Sequence, residues 1–146
     1  MHTVVLHTHS FWAYIVLIVL IITLINSIVG LAGKKEFISK DFRLALFSLI
    51  VTHIQLLLGL ILWFVSPMGL KAITNNGMGE VMKNSVLRLN AVEHPLMMII
   101  AVILITIGFS KHKKKLVSNQ KFKTIVIFYL LTLIVILGRL PWAQWF

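Results

Sequence analysis

The apolar positions of this chain fall into four long runs, Phe11–Leu31, Leu44–Val65, Val86–Phe109 and Thr124–Leu140, with polar residues gathered between them. A helix that crosses a bilayer needs about 20 apolar residues, with a range of about 17–25. Three runs meet that length, and the fourth extends back towards Phe122 to reach it. The pattern predicts an all-α integral membrane protein: one domain over 1–146, with four transmembrane helices near 8–32, 43–65, 86–110 and 122–140. The loop KKEFISKDF is short, so the first two helices are antiparallel neighbours, and an up-down bundle follows.

Within this frame the exceptions carry the information. The third run is broken by Arg88, Asn90, Glu93 and His94 and ends in a block of lysines. Ionisable groups in such a stretch are expensive, so they are expected to face the protein interior and to mark a functional site. A helix starting at Pro95 would be too short to span, so it is expected to start near Val86, capped by Asn84 or Ser85. Pro95 then lies inside the helix and leaves the carbonyl of Ala91 without its usual donor. The second run holds His53 and Gln55 near its middle, with Gly59 opening room for a close neighbour. Ser39 or Asp41 is the expected cap of that helix. Asn26 and Ser27 are expected to bond another helix. Residues 1–10, MHTVVLHTHS, carry three of the six histidines. If that segment is helical, only one of His7 and His9 can face the bundle. Trp12, Tyr14, Trp63, Phe64, Trp142 and Trp145 are expected in interfacial belts.

Composition agrees with the membrane assignment. The chain is 59% hydrophobic, above the roughly 45–50% of soluble domains, and its mean hydropathy is +0.97. The net charge of +10 is concentrated in two loops. Lys34, Lys35, Lys40 and Arg43 precede the second helix. Lys111, Lys113, Lys114, Lys115, Lys121 and Lys123 lie between the third and fourth. The positive-inside rule assigns both loops to the cytoplasm and both termini to the non-cytoplasmic side of a membrane, as in a bacterial inner membrane. The lysines are read as lipid contacts rather than as a nucleic-acid surface. The absence of cysteine excludes disulfides, iron–sulfur clusters and thiolate zinc sites. The N-terminus lacks a basic stretch and a small-residue cleavage site, so it is not expected to be a signal peptide.

Ranked by depth, the polar residues converge on the half of the bundle that holds the termini. His7 and His9 lie at its boundary, and Arg88 and Arg139 at the ends of the third and fourth helices. His94 lies about 9 Å deeper than Arg88 at a rise of about 1.5 Å per residue, and His53 is near the middle. Imidazoles below guanidinium groups suit haem b, with two histidines as axial ligands and arginines at the propionates. Helices one and three are diagonal, which favours His94 with His9 or His7. His94 with His53 is the better buried pair, on adjacent helices. Glu93 and Gln55 are candidate hydrogen-bond partners of the ligands, and Arg139 is otherwise a snorkelling residue serving lipid phosphate.

The segments HTHS, THIQLLLGL and MKNSVLRLNAVEHPLMMIIAVILITIGFSKHKKK resemble a family of short bacterial four-helix membrane proteins labelled cytochrome B-like. Phe11-Trp12-Ala13 departs from that family, which has a glycine and an Arg-Trp pair there. The resemblance implies b-type haem and electron transfer, with candidate positions His9, His53, Arg88, Glu93 and His94. Two other functions fit the residues: a cofactor-free accessory subunit docked to a larger membrane complex, and a metal or quinone site built from His7, His9, Glu93 and His94. The expected partners are the lipid bilayer and either a redox partner or a host complex.

Overall fold

The computed structural model describes residues 1–145. Helix α1 spans His2–Ala32 and α2 spans Ser39–Val65, followed by the short helices α3 (Leu70–Asn76), α4 (Met78–Lys83) and α5 (Ser85–Arg88). A π-helical turn over Leu89–Glu93 joins α5 to α6 (His94–Lys114). After that come α7 (Ser118–Gly138) and the single turn α8 (Trp142–Trp145). Four helical stretches, His2–Ala32, Ser39–Asn76, Ser85–Lys114 and Ser118–Gly138, are long and apolar enough to cross a membrane. Ile18, Ile22, Ile25, Leu57, Ile61, Ile103 and Ile134 point outward, as expected where the surrounding solvent is hydrocarbon.

Helices α1 and α6 each pack against both α2 and α7, so α1 faces α6, and α2 faces α7, across the diagonals of an up-down bundle. Both termini share one end, and the lysine-rich loops share the other. Helix α1 begins at His2 rather than near residue 8. Nothing in its first turns breaks a helix, and the apolar run marks only the part within hydrocarbon. Helix α2 starts after Ile38, whose N–H donates to Asp41 Oδ2 at 2.9 Å. Asp41 thus serves the helix start from its third position, and its Oδ1 accepts from Asn26 Nδ2 at 2.7 Å.

The basic end is solidly filled. Leu20, Ala45, Ile105, Ile125 and Tyr129 are fully buried there. Thr23 and Ser48 share a hydrogen bond of 2.7 Å between α1 and α2. Tyr129 donates its hydroxyl to the carbonyl of Ala45 at 2.7 Å, which ties α7 to α2 across the diagonal. His112 belongs to this packing as well. It is buried against Phe37, Phe42 and Phe109, and its Nδ1 bonds the carbonyl of Phe109.

The third spanning segment is where the backbone departs from regularity. Asn84 caps it, its Oδ1 accepting from Val86 N–H at 3.0 Å and Leu87 N–H at 3.1 Å. Pro95 sits in the first turn of α6, and the missing donor is accommodated by the π-turn immediately before it. The freed carbonyl of Ala91 accepts Trp63 Nε1–H at 2.9 Å. Trp63 is therefore an interhelical donor and not solely a belt residue. Trp12 plays the same part, donating to Val51 O at 2.9 Å. Trp63→Phe is expected to lower stability by about 0.5–1.5 kcal/mol. Unfolding in detergent checks this, and an unchanged midpoint would show that another donor serves Ala91.

Candidate functional site

The end with the termini is hollow. A cavity of about 700 Å3 lies among all four spanning segments, within the roughly 300–1,000 Å3 typical of ligand and cofactor sites. Its deeper wall is apolar, from Ala13, Val16, Leu56, Met98 and Val102. The polar side chains on its wall are His2, His9, Ser10, Thr52, Gln55, Ser66, Asn90, His94 and Gln144. Gln144 and Trp145 of the C-terminal turn line it as well, and the Trp145 ring lies 4.6 Å from that of Tyr14.

Two imidazoles meet in this cavity from diagonal helices. His9 comes from α1 and His94 from the first turn of α6. Their ring centres are 6.3 Å apart and their planes are nearly perpendicular, at 89°. The helical N-terminus decides between the two neighbouring histidines, for His9 is turned inward while His7 is exposed.

Each ring is held differently. His94 Nδ1 lies 2.7 Å from the carbonyl of Arg139. A carbonyl only accepts, so Nδ1 carries the proton and Nε2 is left with the lone pair. His9 rests against Gly59, where an added Cβ would lie 3.0 Å from His9 Cε1. Its Nδ1 is buried without a hydrogen-bond partner. Gln55 Nε2 donates to the backbone carbonyl of His9 at 2.9 Å.

The remaining candidates lie elsewhere. His53 bonds the carbonyl of Leu49 through Nδ1 at 2.7 Å and pairs with Thr106 at 3.4 Å through Nε2. Both of its nitrogens serve α2 and its contact with α6, and His53 is not among the cavity-lining residues. Arg88, Glu93 and Arg139 also lie outside the cavity wall. Glu93 joins the two arginines, with Arg88 Nε at 2.7 Å from Oε1 and Arg139 Nε at 3.4 Å from Oε2. Arg88 also donates to the carbonyl of Met82 at 2.8 Å. The guanidinium groups thus brace α4, the π-turn and the end of α7. Among the described residues, no group of three or more His, Asp or Glu side chains is arranged to hold a metal ion. The four-residue set His7, His9, Glu93 and His94 is not assembled, because His7 points away and Glu93 is engaged by the arginines.

Sequence reasoning passed over His2 and His112. His2 lies two helical turns before His9, a seven-residue spacing that puts both on one face once the segment is known to be helical. His112 is embedded in the lysine block, and only its packing against three phenylalanines distinguishes it. No protein-family model, curated protein or solved structure matches the chain.

Proposed function

We propose that this protein is a membrane-embedded b-type-haem protein that passes single electrons, with His9 and His94 as the residues that would hold the haem. The observation that carries the reading is the pair of imidazoles facing each other inside an apolar cavity. Their ring centres are 6.3 Å apart, and two neutral imidazole nitrogens without carboxylate or thiolate are donors that would hold haem b. Haem b bound there would supply reversible one-electron chemistry. The chain's own part is to orient His94 through the Arg139 carbonyl, to seat His9 against Gly59, and to keep water from the site with Val16, Leu56, Met98 and Val102. Burial and hydrogen bonding of the ligands are the levers that set the potential.

In this reading the basic loops lie in the cytoplasm, and the cavity opens towards the non-cytoplasmic leaflet of a bacterial inner membrane. Absorption spectra of the purified protein before and after dithionite test the proposal. A Soret band with sharpened α and β bands on reduction is the expected result, and a featureless visible spectrum in protein purified from haem-replete cells sinks it. A second reading, a cofactor-free accessory subunit of a larger complex, is favoured by one observation: His53, Arg88, Glu93 and Arg139 are all engaged in contacts between helices. Featureless spectra together with stoichiometric co-purification of large membrane partners would select it.

Gly59 provides a narrower check. A valine there forces the His9 ring away from its seat, and overpacking of this kind costs about 1–3 kcal/mol, or roughly 5–150-fold in affinity. Gly59→Val is expected to weaken haem binding by that factor in a titration of cofactor-free protein. Unaltered affinity would mean that His9 is not held at this position in the loaded state.

A further inference from the structure

Two polar atoms on the wall between α1 and α2 are buried without a hydrogen-bond partner: Nδ1 of His9 and Oε1 of Gln55. They belong to residues already in contact, since Gln55 Nε2 donates to the His9 backbone carbonyl at 2.9 Å. That bond fixes which way the amide points. A carbonyl can only accept, so the NH2 group is the end on His9 O, and the oxygen is the end left over. The two orphaned atoms are complementary, because a neutral imidazole can place its proton on Nδ1 and an amide oxygen only accepts. Buried polar groups left unmade are costly, and one water between the two, accepting from Nδ1–H and donating to the amide oxygen, satisfies both. His94 provides the precedent on the facing helix, with its Nδ1 on the carbonyl of Arg139 at 2.7 Å.

We infer that Gln55 is the positioning residue for His9: through one bridging water its amide oxygen receives the hydrogen bond that begins at Nδ1–H of His9, and so fixes the tautomer that keeps the lone pair on Nε2. The two facing histidines then present the same nitrogen, one set by a backbone carbonyl and the other by a side-chain amide. The inference deepens the haem reading and rests on it for the role of Nε2 as a ligand, but the tautomer belongs to the protein itself. A partner at Nδ1 also raises the basicity of the ligating nitrogen, which makes Gln55 a control on potential.

The test uses full-length protein in lipid nanodiscs, free of cofactor, with ring-15N-labelled histidine. Wild-type His9 is expected in the Nδ1–H form. In Gln55→Leu the ratio of Nδ1–H to Nε2–H should fall at least tenfold at His9 and stay constant at His94. An unchanged ratio at His9 overturns the inference whether or not haem binds. If Gln55→Leu does not insert, Gln55→Asn, whose amide falls one methylene short, is expected to show the same fall, and its failure to do so overturns the inference equally. In haem-loaded protein, Gln55→Glu should lower the midpoint potential and Gln55→Leu raise it. Equal potentials, or loss of haem from both variants, overturn the role of Gln55 and leave the haem reading standing. A wild-type protein that takes up no haem ends the haem reading, and the tautomer measurement still decides Gln55.

Discussion

His94→Ala is expected to abolish the bis-histidine optical spectrum while leaving the four helices inserted. The imidazole stands at the start of α6 with one nitrogen committed to the Arg139 carbonyl and faces His9 at 6.3 Å. On the haem reading, its removal deletes one of the two imidazoles that would hold the cofactor. It does not remove the contacts that fold the segment, which are the Asn84 cap, the Trp63–Ala91 bond and the buried face running from Ala101 to Phe109. Haem occupancy should fall at least tenfold, or the remaining band should take a high-spin form, while circular dichroism in detergent stays as in wild type. An unchanged low-spin spectrum rejects His94 as a ligand and, with it, the pairing of α1 and α6 through iron. His53→Ala is the contrasting substitution. It removes a bond between α2 and α6 and should leave the spectrum in place.

The second large effect concerns stability and is located at the opposite end. Tyr129→Ala is expected to destabilise the protein by about 3–5 kcal/mol, the range for truncating a fully buried aromatic side chain. The ring is completely buried, and the hydroxyl supplies a tie between helices that are otherwise diagonal. Tyr129→Phe keeps the ring and loses only that tie, for about 0.5–1.5 kcal/mol. Reversible unfolding in mixed micelles separates the two terms. If Tyr129→Ala cost no more than Tyr129→Phe, the solid end of the bundle would be able to collapse around the gap, and its packing would not set the shape of the hollow end.

Much of this architecture could be read from the sequence for a simple physical reason. Hydrocarbon imposes long apolar runs, and the four runs translate directly into four helical stretches long and apolar enough to cross a membrane. A cap at Asn84 or Ser85 and the missing donor at Pro95 were equally visible, since both follow from local chemistry. The consequence of Pro95 was not, because a proline inside a helix permits a kink, a break or a wider turn. The wider turn forms here, and the Ala91 carbonyl accepts from Trp63, 28 residues earlier in the chain. The choice between His7 and His9 needed only the fact of helicity. The fates of Arg88 and Arg139 needed tertiary information. Depth along the helix placed them above the histidines, but depth does not give azimuth, and their direction is set by the carboxylate of Glu93. A polar residue in an apolar helix thus announces an interior contact, without announcing whether that contact is a cofactor or another side chain.

Gly77, at φ +83° between α3 and α4, adopts a conformation that glycine takes without penalty. It lies in the connection of short helices that joins the α1–α2 hairpin to the α6–α7 hairpin. Each hairpin brings one of the two facing imidazoles, so the cavity they share exists only where the two hairpins pack together. A guest gripped by both would act as a staple between them, strengthening their association in proportion to the logarithm of its own concentration over its dissociation constant. Assembly of the fold and acquisition of the cofactor would then be one event viewed from two sides.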